Sequence, residues 1–407
     1  MLVLVLNSGS SSLKFQLVEI PPYRVLSKGV MERIGLPDAV LKYQAVHTDK
    51  KVIEREDAHN HESALRLIFD ILVDPDLGVI PSVNVIEAVG HRVVHGGEEF
   101  SESVLINQKV IRILEENTAL APLHNPPNLM GIYACLELLP EVPQVAVFDT
   151  AFHRSIPPEA YLYGLPYEFY EREGVRRYGF HGSSHHYISR RAAELSDIPL
   201  EKSRIVSCHL GSGASLSAVR GGVSVDTSMG YTPLEGVLMA TRCGDVDPYI
   251  PLYLMRRHDM SLEEANDFLN KYCGVLGLSG IKGDMLDVEK AALKGNIRAE
   301  LALRTYCYRV RKYIGAYTAI MGGLDIIVFT GGVGENSPVL REQILQGLEF
   351  MGVMLDREKN KNLRGEGEIS SDSSRVRVWV IPANEEFIIT HDTFNLVGKT
   401  ITRPTVI

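Results

Sequence analysis

The chain has little of what would anchor it outside a cytosol or against a polyanion. Only five cysteines occur in 407 residues (Cys135, Cys208, Cys243, Cys273 and Cys307). They are odd in number, widely scattered and never paired as C-x-x-C, which excludes a disulfide framework or a zinc ribbon and leaves reduced thiols as the expectation. No apolar stretch approaches the ~20 residues that span a bilayer. The apolar run Leu2 to Leu6 lacks a basic flank and is too short for an export signal. A soluble, cytoplasmic protein is therefore expected. Basic residues form no sustained run and the net charge is −9, so nothing suggests nucleic acid or anionic lipid as a partner. The expected partner is a small molecule. With 45% hydrophobic residues the chain is not disordered, and its length suits two globular domains.

What is present is an α/β pattern that repeats. Leu2–Leu6 reads as a buried strand, Asn7 to Ser12 as a turn of small residues and Lys14–Glu19 as a returning strand of alternating polarity. Half a chain later Arg204–His209, the turn Leu210 to Ser215 and Leu216–Arg220 repeat the arrangement, which suggests a duplicated domain. Further buried strands are expected at Val145–Phe148, Asp325–Phe329 and Val376–Ile381, and Gly365 to Ser374 reads as an exposed loop. Asn60 is placed to cap a helix, Ser261 with Glu264 to form a capping box, and Asn296 to Met321 is the longest helical pattern. The domain change is expected near Asp149 to Pro158, giving domains 1–150, joined by 385–407, and 151–384.

Three small-residue turns each follow a buried strand: Asn7 to Ser12, His209-Leu210-Gly211-Ser212-Gly213, and Gly331 to Asn336. Such turns let N–H groups and hydroxyls approach phosphate oxygens with no Cβ in the way. Any one of them can be an ordinary tight turn; three together point to a polyphosphate. None fits the Walker or dinucleotide fingerprint, so hairpins are expected to grip the phosphates, with Lys14 as a point charge.

Arg92, His181 and Arg242 sit in Gly-flanked, apolar surroundings, where a cation is costly unless it meets an anion. A structural ion pair is the alternative for each. Asp149 and Glu385 each follow a buried strand, where carboxylates of α/β sheets point into a ligand crevice, unless they cap a helix. Asn7 adds a neutral oxygen for a hard cation. His91 and His95 lie too far apart along a strand to share a zinc ion, and His185-His186 is expected to be structural.

Leu6-Asn7-Ser8-Gly9-Ser10-Ser11-Ser12-Leu13-Lys14 resembles the first signature of the acetate kinase family, in the acetokinase branch of the actin-like and sugar-kinase superfamily. Thr227-Ser228-Met229-Gly230, on through Pro233-Leu234-Glu235-Gly236 to Thr241-Arg242, resembles the second. Gly90 to Gly97, Phe148 to His153, Tyr178 to His181 and Gly332 to Asn336 match as well, so the resemblance covers nearly the whole chain.

The resemblance implies two α/β domains of duplicated actin-like (ribonuclease H-like) topology with an active-site cleft between them, and a homodimer. It implies reversible transfer of the γ-phosphoryl group of ATP to acetate, giving ADP and acetyl phosphate. Asn7 and Glu385 would hold Mg²⁺, or Mn²⁺. Arg92 would bind the acetate carboxylate beside a methyl pocket of Val94, Leu123, Phe180 and Pro233. Asp149 would be the active-site carboxylate, and His181 and Arg242 would stabilise the transition state. Lys14, His209, Leu210, Gly211, Ser212, Gly213, Gly283, Asp284, Met285, Gly332, Val333, Gly334, Glu335 and Asn336 would hold the nucleotide.

Ser212, Lys282-Gly283 and Leu286 depart from the residues usual in the family at those places, which bears on nucleotide affinity and base selectivity. A propionate or butyrate kinase, or an actin-like ATPase module, are the rival readings.

Overall fold

The computed structural model describes residues 1–48, 50–121, 124–282 and 284–401. The chain forms two compact units, Met1–Ala151 with the segment from Asn384 onward, and Phe152–Ala383. Among the described residues no helix is long and apolar enough to cross a membrane.

The first unit is built on a sheet of eight strands: β1 (Leu2–Gly9), β2 (Ser12–Glu19), β3 (Arg24–Glu32), β4 (Ala39–Ala45), β5 (Lys50–Glu56), β6 (Ala88–Val93), β7 (Val104–Leu105) and β8 (Gln144–Phe148). Their order is β5-β4-β3-β2-β1-β6-β8-β7. Alternation decides which face of β2 is buried: Leu13, Phe15 and Leu17 point into the core while Lys14 and Gln16 point away. That core packs against the helices His61–Leu72 and Asn125–Leu138. Asn60 caps the first of these by accepting from Ser63 N in a full capping box. The helix that opens at Glu385 packs on β1, β6 and β8. Gly90 lets it approach, since a Cβ there would lie 2.5 Å from Thr393 Oγ1.

The second unit carries a sheet of six strands: β9 (Arg204–Leu210), β10 (Ala214–Arg220), β11 (Val223–Thr227), β12 (Ile326–Thr330), β13 (Gly367–Glu368) and β14 (Arg377–Val380), ordered β11-β10-β9-β12-β14-β13. In each unit an antiparallel meander, β3-β2-β1 or β11-β10-β9, continues into two parallel strands, β6-β8 or β12-β14. The hairpin repeat in the sequence thus marks a repeat of topology.

Two local expectations are corrected. Asn7, Ser8 and Gly9 belong to β1, paired with Lys14, Leu13 and Ser12, so only Ser10 and Ser11 turn. Ladder hydrogen bonds carry the strand past the point where its side chains become small. Within Gly365 to Ser374, Gly367 and Glu368 pair with β14, while Ile369 and Ser370 are buried, because Ile369 N donates to Val378 O (2.8 Å). A polar composition hid one apolar anchor.

His91, on β6, is buried and donates from Nε2 to Gln144 Oε1 (2.8 Å). Burial pushes its pKa down to about 4, from an ordinary value of 6.5, and only the Gln144 contact opposes this. A depressed pKa contributes stability that is present above the unfolded value and lost as pH falls toward the folded one. Going from about pH 7.5 to about pH 5 should therefore cost about 2 kcal/mol through His91 alone. Denaturant unfolding at the two pH values should show a smaller difference for His91→Gln than for the wild type. Equal differences would mean that His91 is not held neutral.

Candidate active site

In the first unit four predicted residues meet at the C-terminal ends of the parallel strands. Arg92 lies near the end of β6, Asp149 follows β8, Asn7 lies late in β1 and Glu385 opens the last helix. The Arg92 guanidinium donates to both Asp149 oxygens, from Nε at 3.1 Å and from Nη2, and from Nη1 to Asn7 Oδ1 at 3.2 Å. Glu385 Oε2 stands 3.7 Å from Nε. The Asp149 side chain is 1% exposed. Burial weakens the guanidinium, yet Asp149 and Glu385 hold its pKa above the ordinary value. Burial pushes the Asp149 carboxyl up, Arg92 pulls it back, and Glu385 adds to the rise. Lys14 faces this group across the hairpin, in register with Asn7, and Val94 is buried just beyond β6.

The second unit assembles an arginine and two histidines around the β9–β10 turn. His181 caps the helix Gly182–Leu195 from a left-handed conformation, φ 56°, which a β-carbon makes costly and surrounding structure must hold. A Cβ on Gly213 would lie 3.3 Å from Arg242 Nη1 and 3.5 Å from His181 Cε1, so turn, guanidinium and imidazole share one spot. The His181 and His209 rings stack at 4.2 Å. Arg242 Nη1 donates to Pro233 O (3.3 Å) and approaches Met239 Sδ (3.8 Å). Among the described residues no carboxylate pairs with Arg242, and burial, with no anion to offset it, lowers its pKa. A cation held this way, half-buried and short of an anion, is a receptor for one.

A model of the Acetokinase family matches residues 2–391. The chain belongs to the acetokinase family. It is 55% identical over 399 residues to an acetate kinase of Dictyoglomus thermophilum, covering 98% of this chain and 100% of that one. The crystal structure of Porphyromonas gingivalis acetate kinase superposes with a TM-score of 0.93 at 47% identity, covering 97% of this chain and 99% of that one. A propionate kinase from Francisella tularensis superposes at 0.91 with 40% identity, over the same shares. The two-sheet α/β architecture is that of these two-domain, actin-like enzymes.

Other expected residues of this acetokinase chain are placed as follows. The second and third turns are neighbours, since a Cβ on Gly331 would lie 2.8 Å from Leu210 O. The third turn is a short helix, Gly331–Asn336, beginning where β12 ends. Gly332 and Val333 lie in its first turn, Asn336 Nδ2 donates to Gly332 O (2.9 Å), and Glu335 turns its carboxylate to Gly331 N (2.9 Å) and Ala383 N (3.0 Å). Asp284 caps the helix Met285–Leu293 by accepting from Asp287 N (3.1 Å), with Met285 buried and Leu286 54% exposed. Gly211 and Ser212 form the open turn, and Phe180 is buried beside His153 Nε2, which donates to its carbonyl (3.1 Å). Val94 belongs to the first unit, Phe180 and Pro233 to the second. Leu123 and Gly283 lie outside the described residues.

Three holders of the acetokinase motifs were not legible in the sequence. Asn128 donates to Ser8 O (2.8 Å) and accepts from Val94 N (3.0 Å), joining the end of β1 to the residue that follows β6. Arg177 donates to the carbonyls of Thr227 (3.0 Å), Ser228 (3.2 Å) and Met229 (3.1 Å) and pairs with Glu235 (2.6 Å), holding the second signature in shape. Arg341 donates to Gly334 O (2.8 Å) and Glu335 O (2.9 Å) and bridges to Asn360. The signals existed: paired asparagines in Asn125-Pro126-Pro127-Asn128, and arginines beside glycine motifs. Backbone groups fixed this way must be satisfied somewhere, and these side chains do it.

Proposed function

We propose that this chain is an acetate kinase, transferring the γ-phosphoryl group of ATP to the carboxylate of acetate and, in reverse, the phosphoryl group of acetyl phosphate to ADP. The observation that carries this is that the chain holds two kinds of arginine, one in each unit. Arg92 is fixed by carboxylates, and Arg242 stands beside a phosphate-type turn without one. Family membership and 55% identity to an acetate kinase support the same reading.

Arg92 has five N–H donors, of which Asp149 and Asn7 engage three. One remains on each terminal nitrogen, the fork that suits a carboxylate. Acetate is already ionised at neutral pH, so it needs orientation and relief from charge repulsion more than a base. Asp149 therefore serves as the positioning partner of Arg92. Lys14 and Arg242 offset phosphate charge, His181 donates a hydrogen bond, and the turns of Gly211 to Gly213 and Gly331 to Asn336 offer N–H groups to phosphate oxygens.

Magnesium, with manganese as a substitute, supplies charge neutralisation at the donor phosphates when bound. The Asn7 amide oxygen and the Glu385 carboxylate are the hard donors suited to hold it. Among the described residues no group of three or more His, Cys, Asp or Glu cages a metal. That sparse donor set suits an ion that keeps waters and phosphate oxygens as ligands.

We place the protein in the reducing cytoplasm, in keeping with its five free cysteines. We also propose a homodimer, supported by large exposed apolar side chains in the second unit, among them Tyr249 (67%), Leu252 (60%), Leu293 (83%) and Ile297 (80%).

A hydroxamate assay with acetate and with propionate tests the assignment: acetyl hydroxamate should dominate, and its absence would refute it. Val94→Ala should open space beside the methyl group and raise propionate over acetate in kcat/KM by up to about tenfold. Competition between the two acids measures this ratio. An unchanged ratio would remove Val94 from the acceptor pocket.

A further inference from the structure

Behind His181 lies a file of buried serines and histidines. His181 Nδ1 is 2.9 Å from Ser215 Oγ, Ser215 Oγ is 2.8 Å from His185 Nε2, and His185 Nδ1 is 2.6 Å from Ser207 Oγ. Ser207 and Ser215 lie on β9 and β10, His185 one helical turn beyond His181, and all three are 0% exposed. Complete burial, with His153 and His209 nearby, holds His185 well below the ordinary imidazole pKa, so it is neutral.

A neutral imidazole and a hydroxyl each bring one proton to such a chain. Once His185 is neutral, the three contacts can be filled with every proton pointing toward His181, with every proton pointing away, or with Ser215 accepting from both rings, and this last arrangement leaves the buried Ser215 hydroxyl proton without an acceptor in either contact. In the second sense His185 donates to Ser207, which must then send its own proton elsewhere. Its other acceptor is Ser217 O at 3.5 Å, a weak contact beside the 2.6 Å one to His185. The first sense is favoured. Ser207 donates to His185 Nδ1, His185 Nε2 donates to Ser215, and Ser215 donates to His181 Nδ1.

The consequence falls on the other nitrogen of His181. Its Nδ1 accepts, so its proton sits on Nε2. That atom would lie 3.6 Å from a Cβ on Gly213, the same added atom that would lie 3.3 Å from Arg242. Nε2 therefore faces the phosphate-type turn.

We propose that Ser207, His185 and Ser215 are positioning residues that fix His181 as the neutral Nε2–H tautomer, ready to donate to a phosphoryl oxygen without first taking up a proton. The inference rests on the phosphoryl-transfer reading of this site and adds how its histidine is set. His185, expected from sequence to be only structural, gains a part in the chemistry through another residue.

The test begins with the wild type, which needs no variant to fold. Long-range ¹⁵N–¹H correlation spectra of protein labelled at histidine, with His181→Gln for assignment, should show His181 as the Nε2–H tautomer near neutral pH. An Nδ1–H pattern, or an imidazolium, would overturn the proposal. Ser207→Ala removes the far end of the file without touching His181. It should lower kcat by about tenfold with both KM values within about twofold, and shift His181 toward Nδ1–H. Ser207→Thr should restore both readouts. Unchanged kcat and tautomer in Ser207→Ala would also overturn it. An inactive wild type showing the Nε2–H tautomer would sink the reaction reading alone, and an active one showing Nδ1–H would sink the positioning file alone.

Discussion

Arg242→Ala is expected to lower kcat by about 10²-fold or more while moving KM for acetate far less. The guanidinium is half-buried, finds a carbonyl and a thioether but no carboxylate among the described residues, and sits against Gly213 of the second turn. Its folded-state cost is therefore recovered only when an anion arrives, and most fully when charge spreads over the phosphoryl group in flight. Arg242→Lys keeps the charge and loses the planar fork, so it should recover part of the rate. Steady-state kinetics in the acetyl phosphate direction measures both. A kcat near the wild-type value in Arg242→Ala would remove the residue from the transfer step. The protein should remain folded, because no ion pair is broken.

Asp149→Ala is expected to be costly in both stability and activity. The carboxylate is 1% exposed and takes two donors from Arg92, so its removal leaves a half-buried guanidinium with the Glu385 carboxylate 3.7 Å away. Breaking a buried pair from one side costs about 3–5 kcal/mol. Without its partner the Arg92 fork can swing, and kcat/KM for acetate should fall by about 10³-fold, in KM as well as in kcat. Asp149→Asn keeps one acceptor for the guanidinium and should retain about tenfold more activity than the alanine variant. Equal losses in the two variants would point to a proton-transfer role for Asp149 in place of a positioning one.

The parts of this protein that were legible in the sequence are those governed by local rules. Asn60 and Ser261 accept from the first-turn amides of their helices as their residue types predict. The apolar runs of β1, β8, β9 and β12 are buried, because parallel strands covered on both faces have no polar side to show. Arg92 and Arg242 stood out because charge in an apolar, glycine-flanked setting demands a partner.

What was hidden depends on distant partners. Asn128 reaches Ser8 across 120 residues and Arg177 reaches Thr227 across 50, and no periodicity in either neighbourhood records the other end. The Ser207–His185–Ser215 file is likewise spread over two strands and a helix. Each of its members alone reads as a small or polar residue in a strand, and only the fold aligns them. The strand identity of Asn7, Ser8 and Gly9 was hidden for a different reason: turn-forming residues lie inside a ladder whose register β2 imposes.

The most direct test of the account follows the oxygen. Wild-type protein incubated with ATP, magnesium and acetate labelled with ¹⁸O in its carboxylate should yield acetyl phosphate whose phosphorus resonance carries the isotope shift of an ¹⁸O bridge. That result requires a carboxylate oxygen to attack the γ-phosphorus, as the Arg92 and Arg242 assignments demand. Release of inorganic phosphate without labelled acetyl phosphate would contradict the account and leave an actin-like ATPase in its place.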